Sequence, residues 1–486
     1  MAGVIAAIVT ASCTVLPQPF SASQQQAVTA VDRNAARADV EPLTAPLTLA
    51  EAIARGLKYN LDHRTHMMEE ALAVGQLDLS RYDMLPKLTA AAGYGWRNNE
   101  RITRSQDSVT GLPSLANPYI SSDRSHATQD LGLTWSILDF GVSYQNSKQN
   151  ADRILVAAER RRKAMHLLMR DVRAAYWRAA SAQKLEGALR ETIVLAEAAL
   201  SDSRKIEGEK IRDPMEALRY QRSLLENLRV LESIQWELGS ARIELASLIN
   251  LPLDAKVELA EPQAEDLTPV HSVMPVERME ELAIANNADI KEQLYTTRIT
   301  VAETRKSMLR QFPGLSLSYT YRHDNDSYLI NNTWREAGAQ IGMNLFSLLS
   351  MASTKRFSAA SIKLAEQRRM ATQMAVLAQV HLSLHQYDSA YALFERSDAI
   401  WLVDQRIDGH SVNRQAVAAR SQLERVSNNT SAVVSLLRRY QALNEVYAAR
   451  GKIQATLGTE PALGDLQDIK LSDLVQIVER AERNGA

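Results

Sequence analysis

The chain of 486 residues has one cysteine, Cys13, which excludes an internal disulfide framework and a multi-cysteine metal site. It has no run of about 20 apolar residues, so no membrane-crossing helix is expected. It lacks charge of one dominant sign: a formal net charge of -1 gives no reason to expect a nucleic-acid partner. The most informative shortage is of helix breakers. From Tyr144 to Ile206 there is no proline and one glycine, Gly187, a span of about 90 Å if helical at 1.5 Å per residue. Between Pro313 and Pro461 proline is again missing, and no glycine occurs from Met343 to Asp408.

Apolar residues fill those spans at helical spacing, as in Met165, Leu168, Met169, Val172, Ala175, Tyr176 and Ala179. The pattern breaks at Glu207-Gly208-Glu209-Lys210, and Asp213-Pro214 reads as an N-cap followed by the first helical position. A long helical hairpin is predicted over about 144–206 and 214–249. Charges such as Arg160-Arg161-Arg162-Lys163 keep it out of lipid, so its apolar stripe must find an equally long neighbour.

The chain also repeats itself. Asn60, Pro86, Leu88 and Tyr94 match Asn287, Pro313, Leu315 and Tyr321 at a single offset of 227. Leu133, Trp135, Ile137 and Val172 match Ile341, Met343, Leu345 and Val380 at 208. Gly208 matches Gly409, and Leu248 matches Leu457, with small slips. The reading is two units, 44–270 and 271–464, preceded by an extended arm over 13–46 and followed by a C-terminal segment, 465–486. Each unit holds a medium helix, two strands and a long hairpin. The second hairpin is predicted over about 353–407 and 413–457, with Gly409 at its tip.

The predicted strands, about 86–98, 129–139, 313–323 and 337–346, alternate with period two. Leu315, Leu317, Tyr319 and Tyr321 share one face, and Ser316, Ser318, Thr320 and Arg322 the other. Their length suits a tilted strand crossing a bilayer. Aromatics (Tyr94, Trp96, Tyr119, Trp135, Tyr319, Tyr321, Trp334) gather there as an interfacial girdle would require. Four strands cannot close a barrel, and lipid does not tolerate an open edge. Several copies must therefore join. Three would supply a 12-stranded β-barrel continuous with a 12-helix α-barrel, in a protein that is mainly α with a small β part.

Tandem units in this order, with Leu49-Ala50-Glu51-Ala52-Ile53 ahead of Asn60, Pro86 opening a strand and Leu138-Asp139-Phe140-Gly141 closing one, resemble the TolC-type outer-membrane efflux proteins. The resemblance covers about Pro46 to Pro461. It implies a homotrimer in the outer membrane of a Gram-negative bacterium, its helices crossing the periplasm past an equatorial belt. The implied partners are a periplasmic adaptor (membrane fusion protein) and an inner-membrane pump. The duct would export drugs, small toxic molecules or metals, or serve type I secretion. Adaptor docking then falls to the tips: Glu207, Gly208, Glu209 and Ile211 in the first unit, Asp408, Gly409, His410 and Val412 in the second. Positions matching the family's acidic entrance fall near Gln415 and Ala418, so Asp404 and Asp408, with Gln415, are the gate candidates. Residues 1–12 read as a signal peptide, and Thr10-Ala11-Ser12-Cys13 resembles a lipobox, making Cys13 the expected acyl anchor; the alternative is an ordinary signal peptide cleaved near Ser21-Ala22-Ser23, with Cys13 removed.

His381 and His385 sit at i, i+4, but Leu382 stands where a zincin carries glutamate and no third ligand is evident. A lumen-facing or interhelix pair is expected, with no metal and no cofactor. There is no phosphate-cradling glycine loop and no nucleophile elbow, so no enzymatic activity is expected. The competing reading is a soluble periplasmic coiled-coil adaptor or scaffold.

Overall fold

The protein is described by a computed structural model over residues 17–104, 106–113, 118–208, 214–255, 257–261, 269, 271, 274–414, 421–459 and 469–484. The arm predicted to be extended is helical in its middle. Helix α1 (Ala22–Arg37) starts on a reciprocal cap, in which Gln24 N donates to Ser21 Oγ at 3.3 Å and Ser21 N donates to Gln24 Oε1 at 2.9 Å. The helix buries no residue, so no apolar periodicity announces it.

Asparagine organises the opening of both units. Asn60 separates α2 (Leu49–Tyr59) from α3 (Leu61–Tyr82), and its side chain caps α3 by accepting from His63 N at 3.0 Å. Its amide nitrogen donates to Leu248 O at 3.0 Å, at the far end of the hairpin. Asn287 does the same in the second unit. It caps through Asp289 N and Ile290 N and donates to Thr456 O at 2.8 Å. The matched helices have equal lengths, 11 and 22 residues in each unit.

Strands β1 (Lys87–Trp96) and β4 (Ser125–Ser136) pair antiparallel, and two short strands, β2 (Ile102–Thr103) and β3 (Tyr119–Ile120), pair within the loop between them. Helix α4 (Ile137–Gly208) follows β4 directly, and α5 (Pro214–Leu248) completes the first hairpin. The second unit supplies α6 (Val276–Asn286), α7 (Ala288–Leu309), β5 (Gly314–Asp324), β6 (Thr333–Gly342), α8 (Phe346–Arg414) and α9 (Ser421–Leu457). Last comes α10 (Leu471–Asn484).

Two strands end earlier than their alternation predicts. The strand expected to reach 139 stops at Ser136, whose hydroxyl accepts from Asp139 N at 3.2 Å, so Leu138–Gly141 is the first turn of α4. The strand expected to reach 346 stops at Gly342, because Asn344 Oδ1 accepts from Phe346 N at 3.1 Å and starts α8. Ser136 and Asn344 are matched positions at the 208 offset, so capping overrides strand propensity at the same place twice. Helix α8 also outruns its predicted end at Ile407, continuing through Gly409 to Arg414. A helical glycine costs only about 1 kcal/mol relative to alanine, too little by itself to end the helix.

The four main strands form one antiparallel sheet, in the order β1-β4-β5-β6. Loops beyond it interlock. Asp326 accepts from Ser122 Oγ at 2.7 Å and from the amides of Asp123 and Tyr328, both at 3.1 Å. Asp123 in turn accepts from Ser327 N and Oγ at 2.6 and 2.9 Å. The Ser122 hydroxyl bond, opposed by partial burial and aided by those amides, holds the Asp326 carboxyl below the ordinary carboxylate range.

The helices form two layers that share α4 and α8. Nearer the sheet the order of packed neighbours is α3-α4-α7-α8, and away from it α8-α9-α4-α5. In the second layer buried residues recur at alternating steps of three and four. Examples are Ala182, Leu185 and Leu189 in α4, Leu231, Ile234, Leu238, Ala241 and Leu245 in α5, and Val376, Val380, Ser383 and Tyr387 in α8. A 3.5-residue period is that of left-handed supercoiled helices. The basic run of α4 ties it to both upper neighbours, Arg161 to Glu70 at 2.7 Å, Arg160 to Glu292 at 2.8 Å and Lys163 to Asp289 at 2.7 Å. The largest core cluster lies where the two layers meet. Helices α2 and α10 cover it, with Arg173 of α4 bonded to Glu482 of α10.

Replacing Asn287 with Ala removes a cap and orphans the Thr456 carbonyl. The expected loss is about 2 kcal/mol in unfolding free energy. Gly458→Ala should cost at least as much, since Gly458 has φ +66° and an added Cβ would press on the Asn286 carbonyl; an unchanged urea midpoint in either variant would contradict these roles. For the loop clasp, a carboxyl held low stabilises at any pH above its unfolded value of about 4 and ceases to as pH falls through the lower folded value. Exchange protection at the Tyr328 amide should therefore persist at pH 5 and fall below about pH 4. In Asp326→Asn that pH dependence should vanish.

Candidate channel-forming surfaces

The cross-strand register sorts the sheet into two faces. On one lie Leu88 and Ala90 of β1, opposite Leu133 and Leu131 of β4, which in turn face Tyr319 and Tyr321 of β5, with Ile341 of β6 opposite Leu315. This apolar face has nothing over it in the single chain: Tyr94 is 74%, Trp96 70% and Ile341 74% exposed. Burying such residues is worth about 1.5–3 kcal/mol each, so the face requires an apolar surrounding. The other face carries Thr89, Asp130, Thr134, Ser318, Thr320, Arg322 and Glu336. There Arg322 lies 3.5 Å from Asp130 and 3.4 Å from Glu336. Trp334, expected in the aromatic girdle, is on this polar face opposite Arg322, its indole donating to Glu336 at 2.8 Å.

Both edges of the sheet, β1 and β6, are unpaired among the described residues. The helical layers end in the same way. Helix α3 exposes Leu61, Met68, Leu72, Leu79 and Tyr82, and upper α8 exposes Phe346, Phe357 and Leu364. At the ends of the lower layer α5 exposes Met215, Leu218, Leu225, Trp236 and Ile243, and α8 exposes Leu393, Ile400, Val403 and Ile407. Their separations are sums of three and four, so each stripe is a second seam of the kind already used inside the chain. Trp236 is 79% exposed. Gly75 of α3 and Gly239 of α5 sit within these stripes, and a Cβ at either would meet nothing within 4 Å. Sequence reasoning found one seam per helix and missed the other. The signal was present as a second three-and-four register, offset along the same residues.

The predicted tip residues are only partly visible. Glu207 is half-buried and accepts from Gln221 Nε2 of α5 at 2.6 Å, closing the end of the first hairpin. Gly208 ends α4, and Glu209 and Ile211 lie outside the described residues. In the second unit Asp408, Gly409, His410 and Val412 lie within α8, before its end at Arg414, with Gly409 in open space and His410 exposed. Gly409 is therefore not at the turn, contrary to the sequence reading. Of the gate candidates, Gln415 lies outside the described residues. Asp404 is half-buried and continues the step from Ser397 and Trp401, on the seam that α8 shares with α9. Beside it Arg439 of α9 is bonded to Asp398 and lies over the Trp401 ring at 4.8 Å. Cys13, the expected anchor, also lies outside the described residues.

The histidines take structural partners. His381 Nε2 is 2.8 Å from Glu280 of α6, and His385 lines an open groove with Arg170 and Lys452. His63 is buried against the Leu57 carbonyl at 3.1 Å, and desolvation pushes its pKa down, so it is neutral at pH 7. Among the described residues there is no group of three or more metal-ligating side chains, and no helix is long and apolar enough to cross a membrane.

Residues 57–248 match the family model described as outer membrane efflux protein. No individual curated protein matches the chain. Among solved structures, the outer-membrane channel OprN is similar with a TM-score of 0.65 at 16% identity, over 86% of this chain and 90% of its own. The Campylobacter jejuni outer membrane channel CmeC gives 0.63 at 12% identity, over 96% and 98%. The Vibrio cholerae outer membrane protein VceC gives 0.62 at 14%, over 84% and 96%. At these identities the likeness is one of fold. Residues 57–248 thus match the outer membrane efflux protein model, and the chain as a whole has the same fold as these outer-membrane channels.

Proposed function

We propose that the chain is one subunit of a trimeric outer-membrane duct, through which small molecules leave the periplasm. One observation carries the reading. The sheet, the upper helical layer and the lower helical layer each end in two unpartnered edges, and the edge stripes of the helices are apolar at seam spacing. Each edge of one copy finds its complement in the opposite edge of the next, a head-to-tail contact that closes into a ring. Three copies give twelve strands and twelve helices in each layer. A lipid-exposed sheet edge would leave amides without partners, so closure is required once the apolar face enters the bilayer. The polar face, with Arg322 between Asp130 and Glu336, then lines a wet lumen.

The hairpin ends lie farthest from the sheet and are the surfaces for docking a periplasmic adaptor, which links the duct to an inner-membrane pump. Glu207, Gly208, Glu209 and Ile211 form one docking tip, and Asp408, Gly409, His410 and Val412 the approach to the other. Asp404, Asp408 and Gln415 are the acidic and polar groups nearest the periplasmic mouth. Cys13 is the acyl anchor of the mature subunit. The duct holds no cofactor and performs no reaction, so the energy for export comes from the pump.

Fractionation with chemical crosslinking tests the duct: the protein should pellet with outer membrane and crosslink as trimers, and planar bilayers containing it should conduct. Monomeric protein in the soluble periplasmic fraction would favour the coiled-coil scaffold instead. Closure has a sharper test at Gly239. A tryptophan there has open space in the single chain, so Gly239→Trp should fold yet lower the trimer fraction at least tenfold, about 1.4 kcal/mol. Gly187→Trp on α4, a helix flanked on both sides within the chain, is the control and should assemble normally. Equal assembly of the two variants would refute closure through α5.

A further inference from the structure

Just below the sheet, α4, α7 and α8 enclose a groove of about 490 Å³. Met308, Leu309, Phe312 and Ile362 line it, with Arg305 and Lys355 at its margin. The contacts fix which side of the wall it opens on. Trp135, on the apolar face of β4, meets Phe140 edge-on at 6.0 Å. Phe140 stacks on Tyr144 at 6.5 Å, and Lys148 lies over the Tyr144 ring at 4.8 Å. One turn apart, these residues carry the lipid-facing side of the sheet down α4. Along the seam between α4 and α7, Arg298 bonds Asp152 on that same side, whereas Gln149 bonds Glu303 and Lys306 on the other. Arg305 and Leu309 follow Arg298 along α7 at steps of seven and four, so the groove opens outward, where the sheet's apolar face ends.

Two features ask for a ligand. Arg305 and Lys355 are exposed cations with no carboxylate partner among the described residues, one on α7 and one on α8. Inside it, Ser358 is 4% exposed, and neither its hydroxyl nor the side-chain Oε1 of Gln145 has a hydrogen-bond partner. A buried polar group left so costs about 1–3 kcal/mol. An apolar slot with paired cations at its margin and a hydroxyl donor inside complements one kind of molecule at a bilayer boundary. It needs a phosphate, headgroup hydroxyls and an acyl chain. We propose that this groove holds an anionic glycerophospholipid from the leaflet on the helical side, its phosphate between Arg305 and Lys355 and an acyl chain against Met308, Phe312 and Ile362. Ser358 donates to a lipid oxygen, and Gln145 accepts from a headgroup hydroxyl. The site rests on the outer-membrane reading, and it stays open after closure because the stripe α8 offers a neighbour, Phe346, Phe357 and Leu364, lies on a different flank.

Native mass spectrometry of the delipidated protein in mild detergent, titrated with dioleoylphosphatidylglycerol, tests the assignment. One phosphatidylglycerol per subunit should be retained, at least tenfold more tightly than dioleoylphosphatidylcholine. The double variant Arg305→Gln, Lys355→Gln should remove that preference, and Ala359→Trp should fill the groove and abolish retention. Both exchange exposed residues, and trimer mass and membrane pelleting report folding separately. A membrane-inserted trimer that retains both lipids equally, or whose preference survives the double variant, overturns this site and leaves the duct intact. Full competition by inorganic phosphate at the lipid's own concentration would also overturn it, by removing the role of the acyl chain. Soluble, monomeric protein would overturn both readings.

Discussion

The constraint on which the molecule depends is that a peptide amide in hydrocarbon must find its partner within protein. Helices satisfy it internally, but this chain carries charge along every long helix and sends only a sheet toward lipid. A four-stranded sheet satisfies its inner amides and leaves two edges. In water those edges would be tolerable and its apolar face would not, because tyrosine, tryptophan and isoleucine side chains stand there more than two-thirds exposed. In lipid the face is favourable and the edges are not. The two demands are met together only when other copies supply the missing strands.

The helices inherit that geometry. In the proposed ring the strands set a circumference, and the helices that lead into and out of the sheet must keep to it. Two apolar seams per edge helix are the consequence, one buried within the chain and one left for a neighbour. The residues differ accordingly. Inner seams mix Leu with Ala, Ser and Thr, as at Ala182, Thr192 and Ser383. The outer seams combine bulky side chains such as Trp236 and Phe357 with the open glycines at 75 and 239, a large-and-small alternation that lets helices interlock.

Much of this was legible in the sequence for particular reasons. The absence of proline and glycine bounded the hairpins. The period-two runs identified four strands, and the matched Asn60 and Asn287 identified the duplication. Ends were less legible, because they are decided by single side chains: Ser136 and Asn344 cap helices where apolar alternation still reads as strand. Gly409 misled because glycine suggests a turn, whereas α8 continues through it to Arg414. The sidedness of Trp334 was invisible for want of register. One residue's shift in pairing moves a side chain to the opposite face, and register is set by partners over a hundred residues away in the case of β4 and β5. The outer groove could not be read at all, since it joins three helices from two units.

The position of the large core cluster follows from the exchange of neighbours. Helix α4 leaves α3 and α7 and takes up α5 and α9 partway along its 72 residues. Two registers of small side chains cannot match through such an exchange without leaving gaps, and gaps in a core are costly. The cluster there is filled by large rings. Trp177 stacks on Tyr447 at 5.0 Å and meets Tyr176 edge-on at 5.9 Å, with Tyr387, Phe394 and Tyr440 in the same cluster. Helices α2 and α10 lie over the same level, and buried Arg55 ties α2 to the carbonyls of Glu41 and Pro42 at 2.6 and 3.2 Å. A belt at this height is therefore the physical requirement of changing partners along two continuous helices. The lower layer, by contrast, is held by narrow apolar seams such as Leu231, Ile234 and Leu238 of α5 against α4, with no comparable cluster of rings among the described residues.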